Sequence, residues 1–250
     1  MGRRSAVTDF RCRIAVSSCL VVWTLTSAAA AQNAARGPSN PHDTISVVQL
    51  RVPDKARDQF SKALSEFSRG HIEEALKRAD AALAIAPRFP NALTLRGYIK
   101  LKQQQYESAD LDFVRSIEID PTFVLTFLYH GAALNRVGKY DEALINLNHY
   151  NDINATSWET HYEMSKSWMG KHDYEHTLTA INQASLLGAD REVAPAVHFL
   201  RGRALAGLHQ YAAARVELEA SITPQTSAPM IALAREVLSS IDQETAVASK

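Results

Sequence analysis

Cysteine is almost absent from this sequence of 250 residues, since its two cysteines, Cys12 and Cys19, both lie near the N-terminus. The rest of the chain therefore has no thiol for a disulfide, a cysteine-based zinc site or a cysteine nucleophile. Glycine and proline are also scarce, at 10 and 9 residues. Because long runs of β-branched residues are rare as well, the composition favours helices over strands.

An excess of positive charge is missing too. The sequence has 27 Lys+Arg and 27 Asp+Glu, which leaves a formal net charge of zero. A protein that binds nucleic acid through its phosphates needs a large basic surface. We therefore expect no nucleic-acid partner, and the 46% hydrophobic content predicts an ordinary folded core.

Motifs for catalysis and metal binding are missing from the sequence. It contains no H-E-x-x-H, G-x-S-x-G or G-x-G-x-x-G pattern. Gly202 and Gly207 have the glycine spacing of a P-loop, but Leu208 follows where that motif requires lysine. His172 and His176 could form one edge of a metal site, yet a solvated turn explains them equally. We therefore expect no enzyme activity, no metal and no cofactor.

The N-terminus has the layout of a secretory signal peptide. Four arginines precede an uncharged, largely apolar stretch from Ile14 to Leu25, and four alanines follow at 28–31. This order predicts a signal peptide over residues 1–31, cleaved before Gln32, and export to the periplasm or the medium without membrane insertion of the mature chain. The alternative is an uncleaved anchor, because residues 14–31 are borderline in length for spanning a bilayer.

Two short segments separate this leader from the rest of the chain. Residues 32–44 have proline, glycine and asparagine without periodicity, which indicates a flexible linker. Residues 45–55 alternate apolar and polar side chains around Val48, Leu50 and Val52, which predicts an extended lead-in. We expect this lead-in to pack on an apolar stripe of the first helix, formed by Phe60, Leu64 and Phe67.

The remaining chain repeats itself with a period of 34 residues. One column of aromatic or branched residues has this spacing, with one interval of 37: Ile72, Tyr106, Tyr140, Tyr174 and Tyr211. Small residues stand nine positions before each of them: Ala63, Gly97, Gly131, Ser165 and Gly202. Apolar residues stand seven positions after each of them: Ala79, Phe113, Leu147, Ile181 and Leu218. This pattern resembles the tetratricopeptide repeat, a helix-turn-helix unit.

The resemblance implies an all-α, right-handed α-solenoid of about five units at residues 56–226. The expected unit bounds are 56–89, 90–123, 124–157, 158–194 and 195–226. Three extra residues before the fifth unit predict a kink or a longer turn around Gly188 to Ala194. Since a stack of repeats needs a cap, the apolar stripe at residues 227–242 predicts a capping helix, followed by a polar tail at 243–250.

The resemblance also implies that the first helices of successive units line a concave groove. The candidate partner-binding residues there are Thr94, Tyr98, Lys102, Leu128, Arg136, Tyr162, Lys166, Phe199 and Arg203. Their rings would anchor a peptide, and their cations would bind an acidic group. The alternative is that these side chains only complete the packing between neighbouring first helices. A clamp for chaperone tails is not expected, because it requires Lys and Asn where the first unit has Phe60 and Leu64.

These features predict a non-catalytic module for protein–protein interaction or scaffolding, which binds a peptide or protein segment in the cell envelope. The alternative is an accessory subunit of an envelope enzyme or of a transport or assembly complex. A hydrolase that uses histidine and acidic residues of the groove is a further alternative, but the sequence offers no pair of a base and its orienting residue for it.

The leader generates the first testable prediction. Mature protein recovered from its native host should begin near Gln32, because the alanines at 28–31 fit a signal peptidase site. Intact-mass and N-terminal sequencing measurements check this. A chain that retains residues 1–31 in the membrane fraction would show that the segment is an anchor.

Overall fold

The structure is a computed structural model, and it describes residues 51–248. The predicted signal peptide and linker, and the lead-in up to Leu50, lie outside the described residues. The described residues divide into two compact units, the first ending at Ala86 and the second beginning at Pro87.

Residues 51–248 form α-helices and contain no strand, as the repeat pattern predicts. Their eleven helices are α1 Asp54–Ser68, α2 Ile72–Ile85, α3 Pro90–Lys102, α4 Tyr106–Ile119, α5 Leu125–Arg136, α6 Tyr140–Ile153, α7 Trp158–Gly170, α8 Tyr174–Leu186, α9 Ala189–Gly207, α10 Tyr211–Ala220 and α11 Ala228–Ala248.

The first unit contains one pair of helices, α1 and α2, which pack against each other. Their interior is built from small side chains with no exposed surface: Ala56, Ala63, Ala75, Ala79 and Ala82. Helix α1 begins at Asp54, so the last two residues of the segment predicted to be extended are helical. Just before it, Val52 is buried and its carbonyl accepts a hydrogen bond from Arg57 Nε at 2.9 Å.

The second unit stacks four helix pairs, α3–α4, α5–α6, α7–α8 and α9–α10, followed by α11. Each helix contacts the next one along the chain. The first helices of neighbouring pairs also contact each other, α3 with α5, α5 with α7, and α7 with α9. This stacking of helix pairs is that of an all-α solenoid, which confirms the predicted fold class.

Close approach of the two helices depends on one glycine in the pairs α3–α4, α5–α6 and α9–α10. A Cβ atom added to Gly131 would lie 2.6 Å from Cγ of Leu147, and one added to Gly202 would lie 2.7 Å from Cγ of Leu218. Both leucines have no exposed surface. Since atoms at such distances overlap, the large side chain occupies the space that a glycine leaves. The two sequence columns meet as the repeat predicts, which confirms its register.

The extra residues before the last pair produce a break in α9. Gly188 has a left-handed backbone with φ of 110°, and Val193 leaves the helical region at φ of −134° and ψ of 31°. Pro195 follows two residues later; it has no N–H group with which to continue the hydrogen-bond ladder. The kink therefore lies inside the stretch in which the 37-residue interval predicts it.

Helix α11 covers the last pair and runs to Ala248, six residues beyond the capping helix predicted at 227–242. Its Ala234 and Ile241 are buried in a core cluster with Leu218. Further along, Asp242 and Glu244 bond to Arg215 and Tyr211 of α10, respectively. The first of these contacts is made by the last residue of the predicted capping helix, and the second lies in the segment predicted as a polar tail, which is helical up to Ala248.

None of the helices within residues 51–248 combines the length and the apolar character that crossing a bilayer requires.

The register generates a prediction about stability. Replacing Gly131 with Val should lower the free energy of unfolding by about 1–3 kcal/mol, because the branched side chain would overlap Leu147. Thermal and urea melts check this. Asn148→Val is the matched control. Asn148 is exposed on the facing helix, so a valine there introduces the same β-branched side chain without overlap. Equal stabilities of the two variants would contradict the register.

Candidate partner-binding face

The nine candidate residues all lie on the first helices α3, α5, α7 and α9 of the second unit. Five of them lie on one surface, which also includes Tyr129. We call this surface the first-helix face and define it by Tyr98, Lys102, Tyr129, Arg136, Tyr162 and Lys166. Arg203 is exposed on α9, the next first helix along the stack.

Three other candidates lie in the interior rather than on this face. Thr94 is 3% exposed, and its Oγ1 lies 2.9 Å from Ser116 Oγ and 2.7 Å from Thr126 Oγ1, so its hydroxyl joins three helices. Leu128 is buried in a core cluster of α5 and α6, and Phe199 in the cluster that α11 closes. These three side chains complete intramolecular packing, which is the alternative that the sequence leaves open for them.

Tyrosine rings form the centre of the first-helix face. The rings of Tyr98 and Tyr129 pack with their centroids 4.4 Å apart and tilted by 31°. Tyr162 meets the edge of Trp158 at 6.2 Å between centroids. Burial raises the pKa of the Tyr98, Tyr129 and Tyr162 hydroxyls well above the usual range. The rings therefore stay neutral; Tyr98 is buried beneath the face, and the half-buried Tyr129 and Tyr162 offer an amphipathic surface.

A cation sits over a ring on α3 and on α7. Lys102 Nζ lies 5.1 Å from the centroid of Tyr98, and Lys166 Nζ lies 5.4 Å from that of Tyr162. In each case the cation follows its ring by four residues, the spacing at which side chains on a helix meet. Helix α5 differs, because Ala132 precedes Arg136 by four residues and provides no ring.

Three cations from three successive first helices come close enough to affect one another. Removal of water by neighbouring groups lowers the pKa of Lys102 to about 8, and repulsion from Arg136 and Lys166 contributes. Burial also lowers the pKa of Lys166, against the attraction of Glu163 and with repulsion from Arg136. The stack of first helices therefore places three positive charges together at the end of the face nearest the helix C-termini.

The carboxylate of Glu163 is fixed within this cluster. Lys166 Nζ lies 2.7 Å from both of its oxygens, and Asn135 Nδ2 donates to Oε2 at 3.1 Å and to the Glu163 carbonyl at 2.9 Å. Ser167 Oγ in turn donates to Asn135 Oδ1 at 2.6 Å. Because Asn135 and Ser167 are buried, this network holds α5 against α7 and fixes the position of Lys166.

Carboxylates lie at the other end of the face. Glu159 is in the first turn of α7 and Glu192 in the first turn of α9. The charge of Glu159 contributes to the raised pKa of Tyr98 and Tyr129, so it lies near the rings. Burial, and then Glu159, raises the pKa of the Glu192 carboxyl. The face is therefore polarised, with acids at the helix N-termini and bases towards the C-termini.

Tyr129, Glu159 and Glu163 belong to this site but were not among the candidates from the sequence. Tyr129 precedes Arg136 by seven residues, two helical turns, which places both on one stripe. Glu163 precedes Lys166 by three residues, which is the spacing of an ion pair on a helix. Both signals can be found in the sequence once the stripe of candidate residues is followed over more than one turn.

The histidines that could have formed a metal edge are engaged in a turn. His176 Nδ1 lies 2.8 Å from Asp173 Oδ2, and His172 Nδ1 lies 3.2 Å from the Tyr174 hydroxyl. In the part of the chain that the structure describes, no three His, Cys, Asp or Glu side chains are grouped so that they could hold a metal ion.

Solved structures share this arrangement of helix pairs. Residues 41 to the end of MamA from Desulfovibrio magneticus RS-1 match with a TM-score of 0.59 and 19% identity, over 68% of this chain and 94% of that one. The TPR protein TTC0263 from Thermus thermophilus matches with a TM-score of 0.56 and 13% identity, over 73% and 98%. The chain therefore has a tetratricopeptide-like fold.

A further tetratricopeptide-like match is to the APC/C hetero-tetramer Cut9–Hcn1, with a TM-score of 0.63 and 17% identity, over 76% of this chain and 38% of that one. Because these sequence identities are low, the similarity shows a shared fold only. No protein-family model matches the chain, and no curated protein matches its sequence.

The clustered cations generate a prediction about titration. The ε-amine of Lys102 should titrate near pH 8, and Arg136→Gln should raise its pKa, because one repelling charge is removed. Lysine-detected NMR checks this, with the signal assigned through Lys102→Arg. Arg115→Gln, an exposed arginine of α4, is the control and should leave the titration unchanged. A Lys102 amine that titrates above pH 10 in the wild type would show that the cations are not clustered.

Proposed function

We propose that this protein is a non-catalytic scaffold that binds a peptide or protein segment on its first-helix face. The observation that carries the proposal is the convergence of Lys102, Arg136 and Lys166 from α3, α5 and α7, with both lysines over tyrosine rings. Such rings and charges are the groups that anchor segments at protein interfaces. The tetratricopeptide-like fold supports the proposal because it presents successive first helices as one surface.

The charges of this face argue for recognition rather than for packing alone. Burying Lys102 and Lys166 beside Arg136 costs free energy, since burial first, and repulsion second, lowers the pKa of both lysines. A face that served only to pack helices would be more stable with apolar residues at these positions. An external group that relieved the repulsion would account for the arrangement.

We further propose that the protein works in the cell envelope, after export and removal of residues 1–31. The proposal rests on the arginine-rich leader, its apolar stretch and the alanines that follow. The absence of catalytic motifs from the sequence supports a binding role over an enzymatic one.

A second candidate function is that of a permanent accessory subunit. Corresponding positions of three second helices carry exposed apolar side chains: Leu111 at 71%, Ile145 at 70% and Val216 at 66% exposure. Apolar side chains recurring on an exposed surface are a feature of interfaces with partner proteins. This surface belongs to α4, α6 and α10, whereas the first-helix face belongs to α3, α5 and α7.

Affinity capture from an envelope extract of the native host tests the proposed function. The double variant Arg136→Glu, Arg203→Glu should bind the partner more weakly, by about 1–4 kcal/mol of binding free energy, because it reverses two exposed cations of the first helices. Its melting temperature should stay near that of the wild type. The control is Arg115→Glu with Lys139→Glu, which reverses two exposed cations elsewhere.

Two results distinguish the candidates. Loss of the partner from the first-helix variant alone supports a groove-binding scaffold. Full capture by that variant, together with loss from Leu111→Ser, Ile145→Ser, would contradict it and support the accessory subunit.

A further inference from the structure

We infer that the first-helix face binds a segment of mixed charge, with an acidic side chain against Lys102, Arg136 and Lys166 and a basic side chain against Glu159 and Glu192. This inference rests on the proposed function and adds the chemistry and spacing of the partner. It follows from the two ends of the face, from the rings between them and from the distance that separates them.

The basic end has more positive than negative charge. Lys102, Arg136 and Lys166 bring three cations together, and Glu163 is the carboxylate that acts on both lysines. Lys166 binds Glu163 directly, whereas Arg136 is exposed at the end of α5. An acidic side chain placed between Lys102 and Arg136 would reduce their repulsion and complete the neutralisation of the cluster.

The acidic end would be stabilised by a positive charge. Glu159 and Glu192 come from two successive first helices and act on each other. A Lys or Arg side chain of a bound segment, placed beside these two carboxylates, would reduce their mutual repulsion.

The distance between the two ends is set by α7. Glu159 and Lys166 are seven residues apart on this helix, which corresponds to about 10 Å along its axis. A segment in the polyproline II conformation advances about 9 Å in three residues and returns the side chain to the same side. An acidic and a basic residue at positions i and i+3 therefore span the face. The two residues between them would lie near Tyr98 and Tyr129, which favours apolar side chains there.

Helix electrostatics alone does not account for this arrangement. Acids in a first turn and bases in a last turn stabilise any helix through its dipole, which explains part of Glu159, Lys102 and Arg136. The dipole does not require Lys166 in the interior of α7.

Blocked synthetic peptides and the full chain test the inference. The first peptide carries Glu and Lys at i and i+3 around Pro-Leu; the second has the same composition with Glu and Lys adjacent; two more replace either Glu or Lys by Gln. Binding is measured by NMR titration at low salt. The spaced peptide should bind about five-fold more tightly than each of the others, because only it reaches both ends of the face.

Variants of the face identify which end makes each contact. Arg136→Gln and Glu159→Gln should each abolish the five-fold advantage of the spaced peptide. Glu163→Gln should strengthen its binding, since it removes the carboxylate that competes for Lys166, while the backbone carbonyl at this position still accepts from Asn135. Arg115→Gln is the control and should leave binding unchanged.

Three results would overturn the inference. They are equal binding of the spaced and adjacent peptides, no binding of any peptide at millimolar concentration, and tighter binding of a single-stranded oligonucleotide than of the spaced peptide. The proposed function fails separately, when envelope capture survives reversal of Arg136 and Arg203. Loss of capture together with equal peptide binding would leave the scaffold in place and exclude a partner of mixed charge.

Discussion

Three of the four helix pairs in the second unit depend on a contact between a glycine of the first helix and a large side chain of the second helix. A Cβ atom on Gly97 would lie 2.8 Å from Phe113 Cε1, and Gly131 and Gly202 make equivalent contacts; the pair α7–α8 has Ser165 in place of the glycine. With the pairs closed in this way, the first helices of neighbouring pairs contact one another. Their outward side chains then form one surface.

That surface concentrates charge that the fold itself does not need. Lys102, Arg136 and Lys166 repel one another, and a buried network of Asn135 and Ser167 nevertheless holds α5 and α7 in place beneath them. Rigid support under unfavourably placed charges is an arrangement suited to recognition, because the binding groups need little reorganisation when a partner arrives. The proposed partner follows from this polarity rather than from the fold, which many unrelated proteins share.

Most of the fold could be predicted from the sequence because each column of the repeat corresponds to one fixed position in a helix pair. A small residue and a large one recur at fixed positions, and each pair of columns is one contact in the structure. The site was harder to predict, since a helix surface turns continuously. Thr94 and Leu128 share the stripe of the groove residues, but a hydroxyl cluster and a core cluster enclose them. Glu159 was missed because its role depends on rings from other helices.

A double-mutant cycle on Gly97 and Phe113 tests the central claim most directly. Gly97→Ala should destabilise the protein through overlap with the Phe113 ring, and Phe113→Leu should make room for the added methyl group. The account predicts that the double variant is more stable than the sum of the single effects by about 1–3 kcal/mol, measured by urea unfolding. Additive effects, within about 0.5 kcal/mol, would show that the two residues do not meet and would contradict the packing from which the first-helix face follows.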